Sequence, residues 1–290
     1  MPPPILFIVN PVAGSQKNKQ SVVDLIERDF PAKHADIYFT KSKGDATKAA
    51  RKAAEQGTPI VVAVGGDGTV NEVASGLIGS QAALGIVPRG SGNGLARALG
   101  IPMNTKEALK VMTNGNTSRI DIGKAGHRHF CAVSGVGFDA KVSELFDQSK
   151  MRGFVSYIWI VIKEFWRFVP QQYAVEFGAD RMTCQPFLIS IANTPQYGNG
   201  AIIAPKAKMD DGAFDLCLAN RLTIAQMLTA VPKLFRGTLD QHSGFNYYKI
   251  QKVTFRSENP IRFHVDGEPE KTGTSLTIEV MPHALKVCVP

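Results

Sequence analysis

The stretch Ile60 to Glu72, IVVAVGGDGTVNE, constrains the fold more than any other. Ile60, Val61, Val62 and Val64 form an apolar, β-branched run without polar alternation, the pattern of a parallel strand covered on both faces. Gly65, Gly66 and Gly68 then let the backbone turn sharply and bring its amide N–H groups against an anion, with no side chain in the way. A helix is predicted over Val70 to Leu77, with Thr69 as its N-cap. One acid, Asp67, sits among the glycines. A carboxylate beside a phosphate is unfavourable unless a cation or a proton lies between them, so Asp67 is assigned to Mg²⁺ or a donated proton. Taken alone, a glycine turn after a strand is as readily an ordinary tight turn.

The flanking sequence repeats the theme. Leu6 to Val9 is a short apolar strand closed by Asn10-Pro11-Val12-Ala13-Gly14, whose amides can receive phosphate, and Lys17 and Lys19 follow. A helix over Val22 to Phe30, a strand over Ala35 to Phe39 ending at Thr40, and a helix over Asp45 to Gln56 with Gly57 behind it complete the approach to the central strand. Leu84 to Val87 is a fourth strand and empties into Pro88-Arg89-Gly90-Ser91-Gly92-Asn93-Gly94, a second glycine-rich exit. A helix over Glu107 to Thr113 follows. This βα rhythm predicts a parallel sheet with right-handed crossovers and a ligand beyond the carboxyl ends of the strands, the edge that carries the loops at Asn10, Thr40 and Gly65.

Gly65-Gly66-Asp67-Gly68-Thr69 with Val70-Asn71-Glu72-Val73 resembles the catalytic domain shared by diacylglycerol kinases, sphingosine kinases and bacterial lipid kinases. The GGDGT core also fits NAD kinases, but the Asn10-Pro11 turn and the Pro88 to Asn93 segment resemble the lipid kinases, with Ser91 in place of the usual Thr. Gly94 departs from the Asp of many bacterial members, and the SGNGL wording leans toward sphingoid-base kinases. The resemblance implies an ATP-dependent lipid kinase using Mg²⁺, with the nucleotide contacted by Asn10, Pro11, Gly14, Thr40, Gly65, Gly66, Asp67, Gly68, Thr69, Asn71, Glu72 and Ser91. It places the catalytic base in Val265-Asp266-Gly267-Glu268-Pro269, as Glu268 supported by Asp266, with Asp67 positioning Mg²⁺. Strand alternation would send Asp266 and Glu268 to one side, where each hinders the other's ionisation. The segment Ala204 to Asp215 resembles one in which bacterial members hold a structural Mg²⁺, here on the Asp211 carboxylate and the main-chain carbonyls of Lys208 and Ala213; a plain Asp-Gly hairpin is the alternative. Asp121 matches an acid tied to an interdomain polar network, against the alternative of an exposed strand residue.

At 290 residues the chain is comfortable for two domains. We expect a Rossmann-like parallel α/β domain over residues 1–117 and a mainly antiparallel, β-sandwich-like lipid domain over 118–290, with the active site in the cleft between them. His127 and His129 flank Arg128 in a hairpin turn, a spacing more typical of a surface strand than of a metal site. Phe154 to Phe168 is too apolar for an ordinary exposed helix. It is either core or a surface for acyl chains and bilayer, with Lys150, Arg152, Lys163 and Arg167 meeting anionic headgroups. Thr223 to Phe235 reads as an amphipathic helix interrupted at Pro232. Strands over Ser275 to Val280 and Leu285 to Val289 close the sheet, and no segment is expected to return to the first domain.

The net charge of +8 suits an acidic partner such as a nucleotide, nucleic acid or anionic membrane surface, among which the resemblance to lipid kinases implies ATP and a membrane surface and no nucleic acid. Four scattered cysteines and the absence of a signal-like N-terminus point to the cytoplasm with peripheral membrane association. A homodimer stays open. An NAD kinase-like phosphotransferase leaves the Asn10 turn, the PRGSGN segment and the aromatic helix without a role. A non-catalytic nucleotide- or lipid-binding regulator has no need of Asp67, Asp266 and Glu268 together.

Overall fold

A computed structural model describes residues 5–13, 19–30, 34–149 and 154–290; Gly14, Lys17, Lys150 and Arg152 lie outside the described residues. The chain divides into two units, Met1–Ile120 with His283–Pro290, and Asp121–Pro282.

In the first unit, strands and helices alternate as β1 (Ile5–Val9), α1 (Lys19–Asp29), β2 (Ala35–Phe39), α2 (Asp45–Glu55), β3 (Ile60–Gly65), α3 (Asp67–Leu77) and β4 (Ala83–Pro88), then α4 (Gly94–Ala98) and α5 (Thr105–Thr113). The strands pair in parallel in the order β2-β1-β3-β4. Every residue of β4 and Val61 to Gly65 of β3 are buried, as expected for strands covered on both faces. Small residues let α2 and α3 approach closely: Ala46, Ala50 and Ala53 are buried, and a Cβ on Gly76 would stand 2.5 Å from the Thr47 carbonyl oxygen.

Helix α3 starts at Asp67, not at Val70, because Gly66 takes an extended conformation (φ −90°, ψ −172°) and is itself the N-cap. Thr69 is therefore a buried first-turn residue rather than the cap. Asn104 caps α5, accepting from the Lys106 and Glu107 amides.

The second unit opens with β5 (Thr117–Ala125), which carries the chain out of the first unit, followed by β6 (Arg128–Phe130), β7 (Val133–Gly137), α6 (Phe138–Gln148) and α7 (Phe154–Phe165). Then come β8 (Tyr173–Phe177), β9 (Asp180–Cys184), β10 (Leu188–Ala192), β11 (Phe214–Ala219), α8 (Ile224–Arg236), β12 (Phe245–Ile250), β13 (Lys252–Arg256), β14 (Arg262–Val265), β15 (Glu268–Lys271) and β16 (Ser275–Cys288). One antiparallel sheet runs β12-β11-β10-β7-β14-β15. Its apolar face meets β6, β8, β13 and the first half of β16 in one core that includes Phe130, Tyr173, Phe214, Phe255, Phe263 and Ile278. Alternation produces this arrangement: in β8, Tyr173, Val175 and Phe177 are buried while Ala174 and Glu176 are not.

Three expectations change. The two C-terminal strands are one: Ser275 to Glu279 of β16 pair with β13, and Lys286 and Val287 then pair in parallel with Ala83 and Leu84 of β4, so residues 283–290 do return to the first unit. Helix α8 runs through Pro232, held by a Thr223–Gln226 capping box and closed by Gly237 (φ 68°). The aromatic helix is neither wholly core nor wholly surface. Phe165 packs with Phe138 and Phe187, and Val161 lies against them, whereas Trp159, Ile162 and Trp166 are exposed.

Candidate functional site

In the first unit, the two glycine-rich exits are built as one piece. Gly66 and Gly90 meet backbone to backbone: a Cβ on Gly66 would lie 3.2 Å from the Gly90 Cα, and one on Gly90 would lie 2.8 Å from the Gly66 Cα. Asp67 fastens them, its Oδ1 accepting from the Gly94 amide (2.7 Å) and its Oδ2 from the Asn93 amide (2.9 Å). Asn93 adopts a left-handed conformation (φ 52°), and its carboxamide closes the second exit by accepting from the Gly90 amide and donating to the Gly90 carbonyl. Such a residue accepts this geometry because its short polar side chain bonds locally. Asn10 joins the assembly by donating to Thr69 Oγ1 (3.0 Å), and its own Oδ1 accepts from the Val12 amide.

Asn10, Asp67, Thr69 and the loop bearing exposed Ser91 are thus brought together at the carboxyl ends of β1, β3 and β4. Beside them opens a cavity of about 140 Å³, lined among others by Val9, Asn10, Pro11, Ala13, Phe39 and Arg89. Burial pulls the Arg89 guanidinium below its usual value, yet an arginine so placed stays cationic. Thr40 lies half-buried at the end of β2, its amide donating to the Val9 carbonyl. Asn71 is buried within α3. Glu72 does something else: its carboxylate accepts from the Gly44 and Ala46 amides, satisfying the exposed N–H groups at the start of α2.

In the second unit, Val265-Asp266-Gly267-Glu268 is a two-residue hairpin turn, with Val265 paired to Glu268 and positive φ at both Asp266 (48°) and Gly267 (84°). The expected strand alternation of Asp266 and Glu268 therefore does not apply, and their carboxylates serve different partners. Asp266 accepts from three successive amides, Cys131 and Ala132 at 2.8 Å and Val133 at 3.1 Å. Glu268 pairs with Arg128 (2.8 Å), whose other terminal nitrogen binds Glu270.

Arg128 was legible only as part of a hairpin between two histidines, which it is: β5 and β6 pair from Gly123–Phe130 to Ala125–Arg128. Acids at alternate positions 268 and 270 are the signal that would have found it, since they share one face of β15. Burial, then Lys124 and Arg128, depress the His129 imidazole.

The Asp-Gly turn after Lys208 is held from within. Asp121 is fully buried, not an exposed strand acid, and its Oδ2 accepts from the Gly212 amide (2.7 Å) while its carbonyl accepts from Asn193 Nδ2 (2.8 Å). Asp211 Oδ2 lies 2.7 Å from Lys249 Nζ, which also reaches Asp215 at 3.0 Å, and Asp211 Oδ1 accepts from the Ala213 amide. Burial works against the Lys249 charge, but the hydrogen bonds to Asp211 and Asp215 outweigh it and its pKa is raised. The charge of Asp211, the carboxylate of the expected metal set with the main-chain carbonyls of Lys208 and Ala213, is thus met by an ammonium group. Among the described residues, no group of three or more His, Cys, Asp or Glu side chains could hold a metal.

Residues 4–125 match the diacylglycerol kinase catalytic domain, and residues 132–289 match the YegS C-terminal NAD kinase beta sandwich-like domain. A diacylglycerol kinase of Staphylococcus saprophyticus is 31% identical over 269 residues, covering 90% of this chain and 88% of that protein. A protein of Chromohalobacter salexigens named "Probable lipid kinase YegS-like" is 30% identical over 263 residues, covering 89% and 84% respectively. The crystal structure of a diacylglycerol kinase from Bacillus anthracis superposes with a TM-score of 0.74 over 99% of this chain and 97% of that one; at 22% identity this shows the fold.

Proposed function

Because the chain belongs to the diacylglycerol kinase catalytic-domain family of lipid kinases, we propose that it transfers the γ-phosphoryl group of ATP to a hydroxyl of a diacylglycerol-like or sphingoid lipid. The observation that carries the nucleotide half is the fusion of the two glycine exits through Gly66, Gly90 and Asp67. Close packing without side chains sets the start of α3 directly at the carboxyl end of β3, the kind of helix N-terminus that receives phosphates. Asn10, Arg89 and the adjoining cavity extend that surface.

Mg²⁺ fits at Asp67. That residue is the one acid among the glycines of the exits, the hard oxygen donor that a divalent cation beside phosphates takes. A cation bound there would neutralise charge on the phosphates. No step is routed through a metal at the Asp211 turn.

The second unit supplies the base. Asp266 is spent on three amides and shapes the turn, which leaves Glu268 to take the proton. As the lipid oxygen bonds to phosphorus, the bond from the γ-phosphorus to the bridging oxygen breaks, its electrons leave with ADP, and the hydroxyl proton passes to Glu268. Phosphoryl transfer asks little covalent chemistry of a protein, so positioning and charge do most of the work. Arg128, shared with Glu270, fixes where Glu268 stands.

The lipid would be met at a bilayer surface by the exposed face of α7 and the stretch after it, Trp159, Ile162, Trp166 and Val169, with Lys163 and Arg167 exposed beside them. The test is transfer of labelled phosphate from ATP to dioleoylglycerol, monoacylglycerol, sphingosine and NAD. A labelled lipid is expected; label in NAD alone would replace the lipid-kinase reading with its nearest rival, and no label in any acceptor would leave a binding protein.

A further inference from the structure

The mechanism above leaves a buried acid–base pair unused. His264, 2% exposed, immediately precedes Val265 in β14, and its Nδ1 accepts from the Gly267 amide at 3.2 Å. In a two-residue hairpin turn, the N–H of the second turn residue has no partner in the strand ladder. His264 supplies that partner from beneath the turn. A nitrogen that accepts an N–H carries no proton, so the ring's own proton stands on Nε2. Nε2 lies 3.1 Å from Oδ2 of Asp139 in α6, without the alignment of a full hydrogen bond. The same oxygen accepts from the Tyr197 hydroxyl at 2.7 Å. Asp139 is 4% exposed.

The fold makes room for this pair at the cost of a side chain. A Cβ on Gly135 of β7 would stand 2.3 Å from Asp139 Oδ2 and 2.5 Å from His264 Nε2. The glycine sits inside a central strand, where its backbone entropy is a disadvantage. It is used in the register opposite His264, to which it pairs. Ser134 beside it donates to the His264 carbonyl at 2.7 Å.

We propose that His264, as the Nε2–H tautomer backed by Asp139 and Tyr197, is a positioning residue that holds the strained Asp266–Gly267 turn and so fixes Glu268 for proton removal. The inference rests on the assignment of Glu268 as base. Asp266 in the left-handed region (φ 48°) stores backbone strain, which persists only where the surroundings over-determine it. Three amides hold the first turn residue, and the imidazole holds the second. Loss of the second restraint lets the turn rock and moves the next residue, and displacement on the order of 1 Å costs about 10²-fold in rate.

The experiment compares His264→Phe, His264→Asn and Glu268→Gln in the full chain, with kcat, ATP KM and melting temperature measured for each, and records the imidazole ¹⁵N spectrum of the unsubstituted protein. Asn places its Oδ1 where the Nδ1 of histidine stood, so it can still accept from Gly267, whereas Phe keeps the ring and accepts nothing. His264→Phe is expected to lose roughly 10- to 100-fold in kcat with ATP KM unchanged, His264→Asn to recover to within a few-fold of the unsubstituted enzyme, and the spectrum to show the Nε2–H tautomer. If Glu268→Gln is inactive while His264→Phe keeps full turnover, or if the ring is the Nδ1–H tautomer, the inference on His264 falls alone. An active Glu268→Gln instead removes the base assignment, and the catalytic meaning of His264 with it.

Discussion

Asp266 and Glu268 are two residues apart, both acidic, and indistinguishable in role by sequence, yet their surroundings divide the work. Hydrogen bonds to a charged group contribute about 1.5 to 3 kcal/mol each, and Asp266 accepts three from consecutive amides. Asp266→Asn offers one accepting oxygen in place of two and sets an NH₂ against an amide donor. It should therefore lower the melting temperature and distort the turn. Glu268 pairs with Arg128 at a half-buried site. Glu268→Gln keeps size and reach but cannot take a proton, so kcat should fall by ~10²- to 10⁴-fold while the melting curve and ATP affinity hardly move. Kinetics and thermal melting of the two variants separate these outcomes; equal melting losses would show that both acids are structural.

At the scale of elements, the parallel half was legible because its signals are local. Apolar runs such as Val61 to Val64 and Ala83 to Pro88 fix buried strands, and Gly57 and Gly65 to Gly68 mark their boundaries. What stayed hidden depends on residues distant in sequence. Thr69 looked like a cap until Gly66 took the extended angles, and Pro232 looked like a break because nothing local shows that α8 has enough packing around Ala230 to carry it. The union of the two glycine exits is likewise invisible in sequence, since nothing in GGDGT or PRGSGN says that they touch. It alters what a substitution should do. Gly66→Ala puts a Cβ 3.2 Å from the Gly90 Cα, so the second exit must shift by a few tenths of an ångström. Overpacking of this kind costs about 1 to 3 kcal/mol, and the loss of nucleotide affinity should therefore come with a measurable drop in melting temperature. ATP titration of Gly66→Ala at 25 °C checks it; affinity equal to that of the unsubstituted protein would remove the exits from the nucleotide site.

For the molecule as a whole, the balance of charge and exposed apolar surface decides how a lipid could be reached. No helix among the described residues is long and apolar enough to cross a membrane. The second unit nevertheless leaves two apolar stripes uncovered. One is Trp159, Ile162, Trp166 and Val169; the other is Ile224, Leu228, Val231 and Phe235 of α8, spaced by four, three and four residues along one face. Met227 packs against the Phe165 cluster, so the two helices share a support. Lys163, Arg167 and Arg236 are exposed and Lys233 half-exposed along the same two segments. Each basic residue near an anionic surface contributes about 1 kcal/mol, and at physiological salt that attraction reaches only about 8 Å, so charge and apolar insertion must act together at contact distance. The protein has two tryptophans, Trp159 and Trp166, 63% and 61% exposed, so its tryptophan emission reports this surface alone. Vesicles containing phosphatidylglycerol should shift the emission to the blue, salt should reverse the shift, and pure phosphatidylcholine should give little. Leu228→Glu sits on the other stripe and should still weaken the shift if the helices dock as one face. Emission unmoved by any vesicle would show that the lipid reaches the protein by another surface; a shift that survives Leu228→Glu unchanged would confine docking to α7.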